Sequence, residues 1–398
     1  MMAAITALIA APALRVVLLE RLPRTGKKLL ATGNGRCNYT NEAVTPGNYH
    51  GAGDPELAAS VLGRFGAEDT KRFFGALGVV PRTEERGRVF PYSGAASSVA
   101  DALRFECTRL AVELECGFDV REIKPAKGGF LLRDAGGKTL RADAVVLAAG
   151  GRASPSLGSD GSGFELAKML GHTVGTLTPA LVQLKTEGTE CRALAGIKVR
   201  ALVRAMNGAN CVAEDFGELL FVDYGLSGPP IFQLSTRFAS GECGAVEIDL
   251  CPDIGASELE RMLTERRDAL SHLECGEFFG GFLNKRVGNL IMRRCGVEKL
   301  SLAVEKLTGA QIAKFARTIK AITFNITGNG GWQNAQVTAG GVDTRELFPD
   351  TLMSRVCPGL FLCGELLDLY GDCGGYNLQW AWASGRAAGA GAAEWLAG

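Results

Sequence analysis

Pro358-Gly359-Leu360-Phe361-Leu362-Cys363-Gly364-Glu365, followed closely by Gly371-Asp372-Cys373-Gly374-Gly375-Tyr376-Asn377-Leu378-Gln379-Trp380-Ala381-Trp382-Ala383-Ser384-Gly385, is the stretch on which the fold turns. An aliphatic run ending in glycine reads as a buried strand entering a turn, and the Gly374-Gly375 pair opens a helix rich in small residues. The first N–H groups of such a helix have no partner within it and favour an electron-rich ligand edge. The pyrimidine end of a flavin is such an edge, and a positive helix terminus there stabilises the anionic reduced ring and raises its potential. A glycine-rich loop before an ordinary core helix has the same pattern, so the glycines alone leave both readings open.

Working back along the chain, Arg15-Val16-Val17-Leu18-Leu19-Glu20 has the composition of a buried parallel strand ending in an acid. A carboxylate there can accept both ribose hydroxyls of a bound adenosine, although an acid at a strand end is also common by chance. Gly33-Asn34-Gly35-Arg36-Cys37-Asn38 cannot form regular structure. A second buried strand runs through Ala144-Val145-Val146-Leu147-Ala148-Ala149 into Gly150-Gly151, where the missing Cβ lets a ligand lie against the backbone or simply permits a tight turn. Ser159-Asp160-Gly161-Ser162-Gly163 then leads into a helix that Asp160 or Ser162 can cap. Periodicity predicts a helix over 100–116 and strands over 118–123 and 129–133. Short strands follow at 197–205, 218–222 and 245–250, then helices at 257–270, 278–294 and 298–321, and strands again at 322–326, 336–338 and 359–363. This pattern predicts one α/β domain made of residues 1–180 and 322–398, interrupted by a β-rich module at 181–255 and a helical subdomain at 256–321.

Composition narrows the partners. The 398 residues are 46% hydrophobic with no net charge, which gives no reason to expect nucleic acid or an acidic membrane and favours a small organic substrate. Twelve cysteines without a Cys-x-x-Cys pair, and only three histidines, offer neither a metal site nor a dithiol motif; reduced thiols of a cytoplasmic protein are the plain reading. Cys37 and Cys373 fall in motif loops where a thiol can transfer redox equivalents, but small buried residues fill such places more often. Ala11-Pro12-Ala13 mimics a leader-cleavage site, yet no positive charge precedes the apolar run.

Six motifs carry a family resemblance: Thr32 through Asn38, Gly87-Arg88-Val89-Phe90-Pro91, Gly217-Glu218-Leu219-Leu220-Phe221, Gly225-Leu226-Ser227-Gly228-Pro229, Gln336 through Val342, and Gly371 through Gly385. Together they resemble the YhiN/BaiN flavoproteins, NAD(P)/FAD-dependent oxidoreductases also labelled aminoacetone-oxidase-like. The resemblance implies an α/β fold: a glutathione-reductase-like Rossmann FAD domain with an inserted β-barrel module and a helical subdomain. It also implies a first strand and glycine loop ahead of the helix that opens here at Met1, and this chain is expected to lack them. One branch of the family reduces dehydro-bile acids. The implied activity is therefore hydride transfer through flavin N5, such as NAD(P)H-dependent reduction of an enone; flavin amine oxidation and a non-catalytic, FAD-deficient binding protein are the alternatives. Carried onto this chain, Glu20 holds the adenosine ribose, Gly33, Asn34, Gly35, Arg36, Cys37 and Asn38 wrap the cofactor, and Gly150 and Gly151 pass close to it. Gly364 and Glu365 approach the pyrophosphate and ribityl chain, and Gly374, Gly375, Tyr376 and Asn377 the isoalloxazine. Relatives carry Thr-His where this chain has Val222-Asp223, so a proton-donor role would fall to Asp223 or Tyr224. With no second dinucleotide fingerprint, NAD(P)H would bind only transiently, without a domain of its own.

Overall fold

Val17–Glu20 pairs in parallel with Glu113–Cys116, and Val145–Leu147 with Leu360–Leu362. Leu360, Phe361 and Leu362 are wholly buried, as an aliphatic run between two covered faces requires. Helix Ala96–Arg109 is shorter than predicted. Ala111 turns left-handed at φ 56°, and the alternating run beyond it becomes the partner strand 113–116. A three-stranded antiparallel sheet, Val120–Ala126, Gly129–Asp134 and Thr139–Ala142, follows. The closing helix Tyr376–Ala397 packs against Met2–Ala10. Its glycines let the two backbones touch: a Cβ on Gly389 would lie 2.8 Å from the Ala3 Cα.

The computed structural model describes residues 1–239 and 241–398. They divide into one unit of Met1–Ala180 with Trp332–Gly398 and a second of Leu181–Gly331. Each has its own apolar core.

The expected fold class is confirmed as Rossmann-like with helices but needs correction in its inserted part. A self-contained β-barrel module over 181–255 beside a separate helical subdomain is not what forms. The ladder at the insertion's edges, Thr178–Ala180 with Val337–Ala339, is an open two-stranded pair and joins no closed sheet. The sheet that does close within the second unit runs Leu184–Thr186, Gly225–Ser227, Asn210–Val222, Lys198–Asn207, Ala245–Asp249, Ile322–Asn329. Its last strand comes from beyond the helices, in sequence predicted to belong to the Rossmann part. Helices and strands of this unit share one core, in which Leu259, Ile291, Phe315, Val246 and Phe324 are buried together.

Two helices start later than their periodicity suggests. Gly281 is left-handed at φ 76°, so the helix waits until Asn284 caps Lys285–Arg294 by accepting from the Arg286 N–H. Similarly, Thr308 and Gln311 form a reciprocal capping box that starts Gly309–Lys320.

Candidate functional site

The turn at 32–38 carries four left-handed residues, Gly33, Asn34, Gly35 and Cys37. Two of these are not glycine, an uncommon conformation that the surroundings must hold. The Cys37 N–H donates to the Thr32 carbonyl at 3.0 Å and closes the loop. Cys37 itself is fully buried, and burial pushes its thiol up to about 12 against a weaker opposing hydrogen bond from Thr32. It is a small core residue rather than a reactive thiolate. Arg36 stacks 4.2 Å over the Phe90 ring and pairs with Glu84. Asn38 places a buried Oδ1 with no hydrogen-bond partner beside Gly375, where a Cβ would come within 2.8 Å of it.

Helix 376–397 begins against this turn. Gly374 and Gly375 have φ of 133° and 102°, and the Asn41 Nδ2 donates to the Gly374 carbonyl at 2.8 Å. The first ladder bond is Gln379 N–H to the Gly375 carbonyl, so earlier N–H groups lie ahead of the helix's own pattern. Trp382 Nε1 donates to the Tyr39 carbonyl at 2.9 Å, and Trp380 Nε1 to the Gly364 carbonyl at 3.1 Å. Asn377 works inward: its side chain accepts from the Gly371 N–H and donates to the Gly371 carbonyl, both at 2.8 Å, shaping the preceding loop. Tyr376 is buried, which raises its phenol.

Gly150, Gly151 and Glu365 meet in a second cluster. A Cβ on Gly151 would lie 2.5 Å from Glu365 Oε1 and 2.8 Å from its carboxyl carbon. Glu365 Oε1 accepts from both the N–H and the hydroxyl of Thr338, at 2.9 and 3.0 Å, and Oε2 accepts from Lys28 Nζ at 2.6 Å. Lys28 also donates to Ser159 Oγ at 3.1 Å and the Ala153 carbonyl at 3.2 Å. Thr338 Oγ1 accepts in turn from the N–H groups of Arg152 and Ala153. Gly364, left-handed at φ 74°, has open space where a Cβ would point.

Glu20 sits at its strand's end with its carboxylate accepting from the Leu22 N–H at 2.9 Å. The following Arg21 bridges to Asp160 at 2.6 Å and ties this end to the 152–161 loop. Burial alone would raise the Asp160 carboxyl, but Arg21 and the Ser162 N–H it caps hold it well below the usual range. Beside it, Arg152 stacks 4.9 Å over Trp332 and lines a cavity of about 500 Å³ with Val120, Arg121 and Leu166.

Asp223 and Tyr224 belong to the other unit, on the exposed turn between Asn210–Val222 and Gly225–Ser227. The Tyr224 hydroxyl donates to Gln183 Oε1 at 2.7 Å. Partial burial, and then the neighbouring Asp223, raise its phenol, keeping it protonated at neutral pH.

These residues suit a flavin dinucleotide. The unpartnered Asn38 Oδ1 matches a ring N–H, Gly35 and Gly364 leave open space where a Cβ would point, and a cation lies beside the carboxylate. Sequence reasoning missed the role of Lys28, which no spacing distinguishes from its neighbour Lys27. Thr338 and Ser159 lay inside quoted motifs without an assigned task. Also unforeseen is the set Ser354, His172 and Glu346, in which Ser354 Oγ lies 2.8 Å from His172 Nε2 and His172 Nδ1 2.8 Å from Glu346. Ser354 and His172 are buried, and Ser354 Oγ accepts from the Val356 and Cys357 N–H groups, so the trio ties the core together. Among the described residues no cluster of His, Cys, Asp and Glu could hold a metal, and no helix is long and apolar enough to cross a membrane.

A family model described as the HI0933-like protein Rossmann domain matches residues 1–391. A 3-dehydro-bile acid delta(4,6)-reductase of Clostridium scindens is 42% identical over 384 residues, covering 96% of this chain and 93% of the relative. A ribosomal RNA dihydrouridine synthase of Escherichia coli is 33% identical over 373 residues, covering 93% and 90%. Among solved structures, a 3-ketosteroid-delta4-(5alpha)-dehydrogenase of Rhodococcus jostii superposes with a TM-score of 0.52 at 17% identity, over 98% of this chain and 94% of that one, a likeness of fold alone.

Proposed function

The chain belongs to the HI0933-like family of YhiN/BaiN flavoproteins, and from that premise we propose that it is an FAD-dependent reductase of a carbon–carbon double bond conjugated to a carbonyl. The observation that carries this reading is the 42% identity, over 96% of the chain, to a reductase of dehydro-bile acids. When bound, FAD supplies a hydride at N5. Gly374, Gly375 and Tyr376 would line the ring with Asn38, the Lys28–Glu365 cluster with Gly150, Gly151 and Gly364 would face the ribityl-diphosphate, and Glu20 would meet the ribose. Arg36 and Cys37 shape the wrapping turn through the Phe90 stack and the buried thiol.

Reducing such a bond also needs a proton at the α-carbon. Tyr224 is the proposed donor, its phenol raised by burial first and then by Asp223 and so protonated at neutral pH. Tyr224→Phe is then expected to lower kcat by about 10²-fold or more while leaving FAD affinity unchanged. NAD(P)H is the proposed electron donor, bound transiently, and the cytoplasm the proposed compartment. Enone-dependent NAD(P)H oxidation by the flavin-loaded chain, with a 3-oxo-Δ4,6-steroid as substrate, tests the whole reading. No consumption with the flavin bound would overturn it.

A second reading, reduction of a uridine in ribosomal RNA, is favoured by the 33% identical synthase and has the same chemistry, because the uracil C5=C6 bond is also conjugated to a carbonyl. The small-molecule reading stands ahead of it on charge. The net charge is zero, and two cations of the second unit's sheet are spent on local acids: Lys198 on Glu218 at 2.9 Å, and Arg204 on Glu214 and Glu247 at 3.2 and 3.1 Å. Dihydrouridine in rRNA treated with the loaded enzyme would reverse the order.

A further inference from the structure

Glu365 raises an electrostatic question, because a carboxylate facing a dianionic diphosphate repels it. Here that charge is answered within the chain. Lys28 reaches it from Lys27–Ala31, the short helix that follows the first strand, and Thr338 reaches it from Val337–Ala339. All three Nζ protons of Lys28 are used, on Glu365, Ser159 and the Ala153 carbonyl, so the ammonium is fixed in place. Thr338 donates twice to one carboxylate oxygen while its hydroxyl oxygen receives the Arg152 and Ala153 N–H groups. The Glu365 side chain is only 19% exposed, and a Cβ on Gly151 would press within 2.5 Å of its Oε1.

We propose that Lys28 and Thr338 are positioning residues for Glu365: they neutralise its carboxylate and fix its direction, so that it offers the one remaining lone pair, on Oε2, to a ribityl hydroxyl without repelling the neighbouring diphosphate. Each carboxylate oxygen accepts about two hydrogen bonds, so acceptor capacity remains after the contacts described. This rests on the FAD reading above.

The test is FAD binding by the full chain, followed by flavin fluorescence quenching in a double-mutant cycle. Lys28→Met is expected to weaken FAD by about ten- to a hundredfold, and Lys28→Arg to recover most of the loss. Thr338→Val is expected to weaken it about tenfold, and Thr338→Ser to recover it. Glu365→Gln keeps one acceptor oxygen and is expected to bind FAD measurably but more weakly; in that background Lys28→Met costs less than about twofold, since no carboxylate is left to neutralise. Equal losses from Lys28→Met in both backgrounds would mean that Lys28 serves the cofactor or the fold directly, and would overturn the proposal. So would a Glu365→Gln variant that no longer binds, because the negative charge itself would then be required. A wild-type chain that quenches no flavin refutes the FAD reading; a wild-type chain that binds while Lys28→Met binds equally well refutes this one alone.

Discussion

Replacing Gly375 by alanine asks how tightly the start of the last helix is built against the 32–41 segment. Gly375 has φ 102°, and a Cβ there would lie 2.7 Å from the Thr40 carbonyl carbon and 2.8 Å from Asn38 Oδ1, closer than real Cβ atoms come. Gly364→Ala is the matched control: it too is left-handed, at φ 74°, but nothing lies within 4 Å of its Cβ. Both variants incur the left-handed cost of an L-residue, about 1–2 kcal/mol. Only Gly375→Ala must also push a backbone carbonyl away, and forced overpacking adds about 1–3 kcal/mol. The expected losses are therefore about 1–2 kcal/mol for Gly364→Ala and about 2–5 kcal/mol for Gly375→Ala. Urea unfolding followed by tryptophan emission reads the correct unit, because all four tryptophans, Trp332, Trp380, Trp382 and Trp395, fall in it. Gly375→Ala should also weaken FAD, since the carbonyl it displaces adjoins Asn38. A Gly375→Ala loss within about 0.5 kcal/mol of the control would refute the close approach and the cradle drawn from it.

Other outcomes follow from single contacts. Ellman's reagent should label the exposed Cys116 and Cys211 of the native chain first, while Cys37 stays unlabelled even at pH 9 until urea unfolds the protein. Ser354→Ala removes the acceptor of two backbone N–H groups and should cost about 2–3 kcal/mol in urea unfolding without altering FAD affinity; a large affinity loss would mean that the Ser354–His172–Glu346 set reaches the site. Because Asp160 titrates lower in the folded chain than in the unfolded one, its bridge to Arg21 stabilises the fold above the ordinary Asp range and is lost as pH falls through the folded value. Asp160→Asn should thus lower stability at pH 7 by about 1 kcal/mol or less, given a third of the side chain in solvent, and flatten the fall below about pH 4. An unchanged acid limb in the urea midpoints would contradict this.

The residues legible beforehand are those whose backbone demands are special. Gly374-Gly375 and the 33–38 turn announce themselves because only a few residue types tolerate left-handed conformations, and the structure joins them through Asn38, Thr40 and Trp382. The strands at 17–20, 145–147 and 360–362 were visible as aliphatic runs. What periodicity could not show was where a helix yields to a strand within a continuous pattern, as at Ala111, or that the second unit's sheet takes its last strand from beyond its own helices. Strand partners are chosen by packing across long sequence separations, which no local window contains. Lys28 was invisible for the same reason: its meaning depends on Glu365, hundreds of residues away.

The three-rung ladder of Thr178–Ala180 with Val337–Ala339 has an evolutionary consequence. It brings the exit and the return of the chain side by side, so the Rossmann part experiences everything between them as one long surface loop. The entropy of closing such a loop grows only with the logarithm of its length, so a segment of roughly 150 residues is hardly more costly there than one of half that size. Thr338, on the returning strand of that ladder, is held within hydrogen-bond reach of Glu365 whatever the length of the segment between.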